Sequence, residues 1–133
     1  MSEENLEVIR RFVDAYARRD RDAFVALLDP EFEGVPPSEW PESAPVRGHD
    51  AAWDFGLVLE APWEVGAWAI MELIEAGKDR AVMGGTREVR GKSSGVEGKL
   101  AIWGVFSFRA GRIVRIEWFS DRSDALEAAG LSE

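Results

Sequence analysis

Leu6, Ile9, Phe12, Val13 and Tyr16 recur at intervals of three and four, with Arg10, Arg11 and Asp14 between them. That spacing lines the apolar side chains along one face of a helix. It predicts an amphipathic helix over residues 3–18, opened by Glu3 and Glu4 at the positive end of the helix dipole. Asp20 is placed to cap a second, short helix with a buried stripe of Phe24, Leu27 and Leu28, and Pro30 is expected to stop it. A brief strand is expected at Glu31–Val35. The stretch GVPPSEWPESAPVRG holds four of the six prolines and reads as a long loop, with Trp40 as an apolar anchor that could lie over a cavity as a lid.

After Gly48, Ala52, Phe55 and Val58 or Leu59 return to helical spacing and predict a third helix. From Trp63 onward the texture changes to β-branched and aromatic runs broken by AGKD, RGKSSG and RAGR. Four successive antiparallel strands follow from it, roughly 64–75, 80–90, 96–109 and 112–120. Asp121, with Asp124 three residues on, opens a last short helix that Gly130 ends. The order helix, helix, strand, loop, helix, meander predicts an α+β fold in which a strongly curved, mostly antiparallel sheet wraps around three N-terminal helices.

Composition narrows the function classes. At 133 residues, with 46% hydrophobic and 31% charged positions, residues 1–133 read as one globular domain. The net charge of -9 repels phosphate backbones and anionic headgroups, so neither nucleic acid nor a membrane is expected as a partner. Without cysteine there is no thiolate nucleophile and no sulfur-based metal site, and one histidine leaves little for any metal. The acidic start MSEENLEVIRR does not resemble a signal peptide, and no run of about 18 apolar residues occurs, so the expected location is the cytoplasm. Six Trp and seven Phe against one Tyr bring enough aromatic surface to line a core or a ligand cavity.

Four phrases carry a family resemblance: FVDAYARRDRDAFVALL, RGHDAAWDF, REVRGKSSGVEG and AGRIVRIEWFSDRSDALEAAGL. Together with the element order they resemble the SnoaL-like branch of the nuclear transport factor 2-like superfamily. The resemblance implies a cone-shaped fold around one apolar pocket, with no metal or organic cofactor. It also includes ketosteroid isomerases, limonene-type epoxide hydrolases and polyketide cyclases, so the fold alone does not choose a chemistry. The three catalytic positions of a ketosteroid isomerase fall near Val35, Phe12 and Gly104, none of which can move a proton. Of the Asp, Arg, Asp set of the epoxide hydrolases, the Arg position falls on Gly85, the first Asp on Arg87 and the last Asp on Trp118, so the set is not preserved. A cyclase-like acid/base pair would have to use His49, the single histidine.

Strand alternation then sorts the remaining candidates. Met83, Gly85, Arg87 and Val89 share one face of their strand, as do Leu100, Ile102, Gly104, Phe106 and Phe108 of the next, and Val114, Ile116, Trp118 and Ser120 of the last. Taken as inward, these faces put Arg87 in an aromatic cavity, where an unpaired guanidinium is costly and needs a partner. Glu33 is the expected partner, and the two form the candidate catalytic pair. The alternative is that both are separate solvated charges at strand ends. Phe12, Tyr16, Trp40, His49, Trp53, Met83, Phe106 and Trp118 are the candidate pocket residues; capping for His49 and core packing for Trp53 and Trp118 are the competing roles. Trp103 and Val105 fall on the outer face, where an apolar patch suggests a homodimer. Two functions follow: an isomerase, cyclase or hydrolase of an apolar oxygenated metabolite, or a non-catalytic binding or dimeric assembly module with a closed aromatic cavity.

Overall fold

The computed structural model describes residues 2–131. Helix α1 (Ser2–Ala17) and the short α2 (Arg21–Ala26) form the helical hairpin expected from the spacing. Asp20 caps α2 by accepting a hydrogen bond from the Ala23 N–H at 3.1 Å. Helix α3 (His49–Glu60) follows the proline-rich segment, and α4 (Arg122–Ala128) closes the chain, with the Asp121 side chain accepting from the Ser123 N–H at 2.9 Å.

Among the described residues, seven strands form one curled sheet: β1 (Leu28–Val35), β2 (Val46–Arg47), β3 (Trp63–Val65), β4 (Ala69–Glu75), β5 (Arg80–Gly91), β6 (Glu97–Arg109) and β7 (Arg112–Phe119). Their order is β2-β1-β7-β6-β5-β3, with β4 also pairing β5, and every pairing is antiparallel except β1 with β7. The fold is thus the α+β class that the element order predicts.

Three details differ from the sequence expectations. Strand β1 begins at Leu28, so Pro30 lies inside it instead of ending a helix. The β1–β7 ladder shifts register between Leu28 and Glu33, so Pro30 falls where its missing N–H costs no ladder bond. The strand expected over 64–75 is two strands, β3 and β4, interrupted at residues 66–68, and both pair along the same edge of β5. In β7, Ser107 faces Arg115 while Phe108 faces Ile113, so Val114 is the extra residue of a bulge. The bulge turns Ile113 to the inner face, where it is fully buried, against the outward position that strict alternation gives it.

The inner face of the sheet packs on α1, α2 and α3 through Ile9, Phe24, Leu28, Phe106, Ile113 and Ile116. Phe106 sits at the centre, edge-on to Phe12 at 5.7 Å and to Trp118 at 5.8 Å between ring centroids. A second, smaller core lies on the outer face. There Val82, Val105 and the half-buried Trp103 pack against Ala125 and Leu126 of α4 and Ala129 just after it. The apolar outer residues that suggested a homodimer are therefore covered by the chain's own C-terminal helix. Arg122 of α4 secures it with a two-pronged pair to Glu72, both bonds at 3.0 Å.

Phe106→Ala should lower the unfolding free energy by about 3–5 kcal/mol, because the ring is fully buried between two aromatic neighbours that cannot collapse into the void. Urea unfolding followed by circular dichroism measures it; a loss below about 1 kcal/mol would place the core elsewhere.

Candidate functional site

The concave side of the sheet and the three helices enclose a cavity of about 520 Å³. That volume lies within the range of small-molecule sites. Its wall is built by alternation. Met83, Arg87 and Val89 reach it from β5, Leu100 and Ile102 from β6, and Ile116 and Trp118 from β7. Phe12 and Tyr16 of α1 and Phe55 and Leu59 of α3 form the opposite side. Four of the six tryptophans line it: Trp40, Trp63, Trp68 and Trp118. The bare Gly104 makes room for Trp118, since a Cβ there would come within 2.8 Å of the indole. From the proline-rich segment, Trp40 and Pro41 lie against the cavity, the placement expected of a lid anchor.

One end of the cavity is polar. Glu60, the last residue of α3, accepts the Tyr16 hydroxyl and Arg87 Nη1 on one carboxylate oxygen, the latter at 2.8 Å, and Arg19 on the other. Arg87 also donates through Nε at 2.9 Å and Nη2 at 2.7 Å to the carbonyl of Gly66. That carbonyl is free because the strand breaks between β3 and β4. The indole of Trp68, from the same break, lies 4.8 Å from the Arg87 guanidinium. Arg19 covers the cluster from outside, its guanidinium 4.6 Å from the Tyr16 ring centre. Tyr16 reaches Glu60 only because position 56 is glycine: a Cβ there would stand 2.5 Å from the hydroxyl.

The cluster fixes its own charges. Burial works against an ionised Glu60, but hydrogen bonds from Tyr16 and Arg87 and the charges of Arg87 and Arg19 outweigh it, holding the carboxyl below its ordinary value. Burial, then Glu60 as hydrogen-bond partner and as neighbouring charge, pushes the Tyr16 phenol far above its ordinary value. At neutral pH Glu60 is an anion and Tyr16 a neutral donor.

Of the expected site residues, Phe12, Tyr16, Trp40, Met83, Arg87 and Trp118 line the cavity. Four do not. Glu33 is not the partner of Arg87: its neighbours Phe32 and Gly34 face the cavity, so alternation sends Glu33 to the other face, where it pairs with Arg115 at 3.0 Å and Arg47 at 3.1 Å. His49 opens α3 and its Nε2 meets the Leu28 carbonyl at 2.9 Å, tying the helix to β1. Trp53 is buried between Phe24 and Tyr16, and Phe106 lies behind the wall as core.

Glu60 is the functional candidate the sequence reasoning missed. The signal was present: Gly56 and Glu60 stand four apart on the helix face that carries Ala52, Phe55 and Leu59. Trp68 was missed because the break in the strand was not anticipated. Among the described residues, no group of three or more His, Cys, Asp or Glu could hold a metal ion, and no helix is long and apolar enough to cross a membrane.

Comparison with known proteins gives a family and several folds. A family model described as a SnoaL-like domain matches residues 9–116. An NTF2-like protein of unknown function from Burkholderia pseudomallei is similar at 27% identity, with TM-score 0.77 and 96% of each chain covered. TerC, co-crystallised with polyporic acid, is similar at 25% identity and TM-score 0.76, covering 96% of this chain and 98% of that one. A hypothetical protein of ketosteroid isomerase-like fold from Catenulispora acidiphila, in complex with trimethylamine, shares the fold at 17% identity and TM-score 0.72, over 94% and 93% of the chains. Among curated proteins none matches the sequence.

Glu60→Gln should cost about 3 kcal/mol at pH 7, since it leaves Arg87 without its buried counter-charge. Because the folded state holds the Glu60 carboxyl low, this stabilisation is complete above the ordinary carboxylate pKa of about 4.3 and is lost as the pH falls through the folded value. Unfolding midpoints of wild type and variant should therefore converge below about pH 4. A constant gap across the acid range would contradict the assignment.

Proposed function

The chain belongs to the SnoaL-like domain family, and on that footing we propose that its cavity binds an apolar, oxygen-bearing small molecule and holds it without moving a proton. The observation that carries this reading is the pairing of an aromatic wall with a polar end whose titratable groups are driven apart. Trp40, Trp63, Trp68 and Trp118 offer flat apolar surface to a ringed ligand, and Arg87 offers donors to one of its oxygens. A general acid or base works best with a pKa near the working pH. Glu60 is held below that range and Tyr16 above it, so neither is poised to exchange a proton with substrate. The ligand carried by TerC, polyporic acid, supports a small molecule as occupant of such a fold.

Isomerase, cyclase and hydrolase chemistry was the other expectation, with Arg87 orienting an oxygen and Glu33 moving a proton. Its proton carrier lies on the far face of the sheet, paired to Arg115, which favours the binding reading.

Titration with a polycyclic aromatic ketone should quench the intrinsic tryptophan fluorescence saturably, because four tryptophans line the cavity. In Ile102→Trp, a larger side chain from the cavity wall fills the space; quenching should be lost with the fold intact by circular dichroism. Unchanged binding by that variant would put the ligand outside the cavity. Recovery of a chemically altered ketone after incubation with the wild type would overturn the binding-only reading.

A further inference from the structure

Strand β6 runs past the end of β7. Their pairing stops at Trp103 with Phe119, while β5 continues beside β6 as far as Arg90 with Glu97. Bonds at both ends of the β5–β6 ladder fix which residues face which edge. The Gly91 N–H donates to the Val96 carbonyl at 2.9 Å and the Phe108 N–H to the Asp79 carbonyl at 2.8 Å, so the even-numbered residues of β6 bond to β5. Glu97, Lys99 and Ala101 therefore turn their N–H and C=O groups to the other edge, where, among the described residues, no strand pairs with them. Residues 97–101 are all exposed. An open edge of this kind is a template for another strand.

We propose that this edge pairs with its own counterpart in a second copy of the chain, antiparallel about a two-fold axis at Gly98, joining two sheets into one. Charge and space select the register. An axis at Glu97 or at Lys99 would set like charges opposite each other, and an axis at Leu100 would drive Glu97 onto Trp103, whose edge β7 already occupies. With the axis at Gly98, Glu97 of each copy faces Lys99 of the other, and the two exchange backbone bonds. Among the described residues neither side chain has an ion-pair partner within its own chain. On the cavity face the same register sets Val96 against Leu100 of the second copy, side chains that are 65% and 50% exposed in the single chain. Leu100 lines the cavity, so the second copy's Val96 joins its rim. Gly98 brings no side chain to the axis, which lets the strands close there. The contact is separate from the outer face that α4 covers. It is small, so the dimer is weak, with a Kd on the order of 100 µM.

Sedimentation velocity across roughly 5–500 µM protein should show monomer passing to dimer. Lys99→Glu sets acid against acid at both symmetry-related pairs, and Glu97→Lys sets base against base; each should weaken association at least about tenfold. Both positions are exposed, so the fold is kept. The exchanged double variant, Glu97→Lys with Lys99→Glu, has the wild-type net charge and opposite charges across the axis, and should associate within about threefold of wild type. An equimolar mixture of the two single variants should also associate, since every pair across the axis is then complementary. A monomer throughout the range would overturn the proposal. So would association that the single substitutions leave unchanged, or that the exchange fails to restore.

Discussion

The carboxylate of Glu60 holds the polar end of this molecule together. It ends α3, accepts from Tyr16 on α1, from Arg19 just beyond α1 and from Arg87 on β5, and so joins the two long helices to the sheet at the point where the cavity closes. An isolated buried carboxylate would be forced to neutralise. Three donors from three directions allow it to stay charged, and its charge in turn allows Arg87 to be buried in an otherwise aromatic wall.

Local backbone features follow from that constraint. Gly56 lets Tyr16 press against α3. The break between β3 and β4 turns the Gly66 carbonyl toward Arg87, satisfying two donors that Glu60 cannot reach, and brings the Trp68 ring over the same guanidinium. Arg19 holds a left-handed backbone angle, φ 56°, that turns the chain from α1 toward α2. The same turn puts its side chain over Tyr16 and Glu60. The cavity is therefore apolar along its body and polar at one end, where two guanidiniums share one carboxylate.

The fold was legible in the sequence because periodicity is a local property. Helical spacing of Leu6, Ile9, Phe12 and Tyr16, and alternation along Met83, Gly85, Arg87 and Val89, assign elements and faces without knowledge of distant partners. Departures from strict period were not legible. The bulge at Val114 and the break at Gly66 arise from pairing across the sheet, and each changed which side chains face inward. Arg87 was recognisable as a buried cation needing a counter-charge. Its partner was not, because Glu33 and Glu60 are both acids next to apolar residues. Only the strand register, which sends Glu33 toward Arg115, and the length of α3, which carries Glu60 to the polar end, decide between them. The outer-face residues Trp103 and Val105 were read as uncovered since nothing local announces that α4 folds back over them.

The account stands on donors overcoming burial at one carboxylate. Carbon-13 NMR titration of the Glu60 side-chain carboxyl, assigned by comparison with Glu60→Gln, measures the balance directly. The account predicts a midpoint below the ordinary glutamate value of about 4.3. A midpoint above it, as burial alone would give, would contradict it.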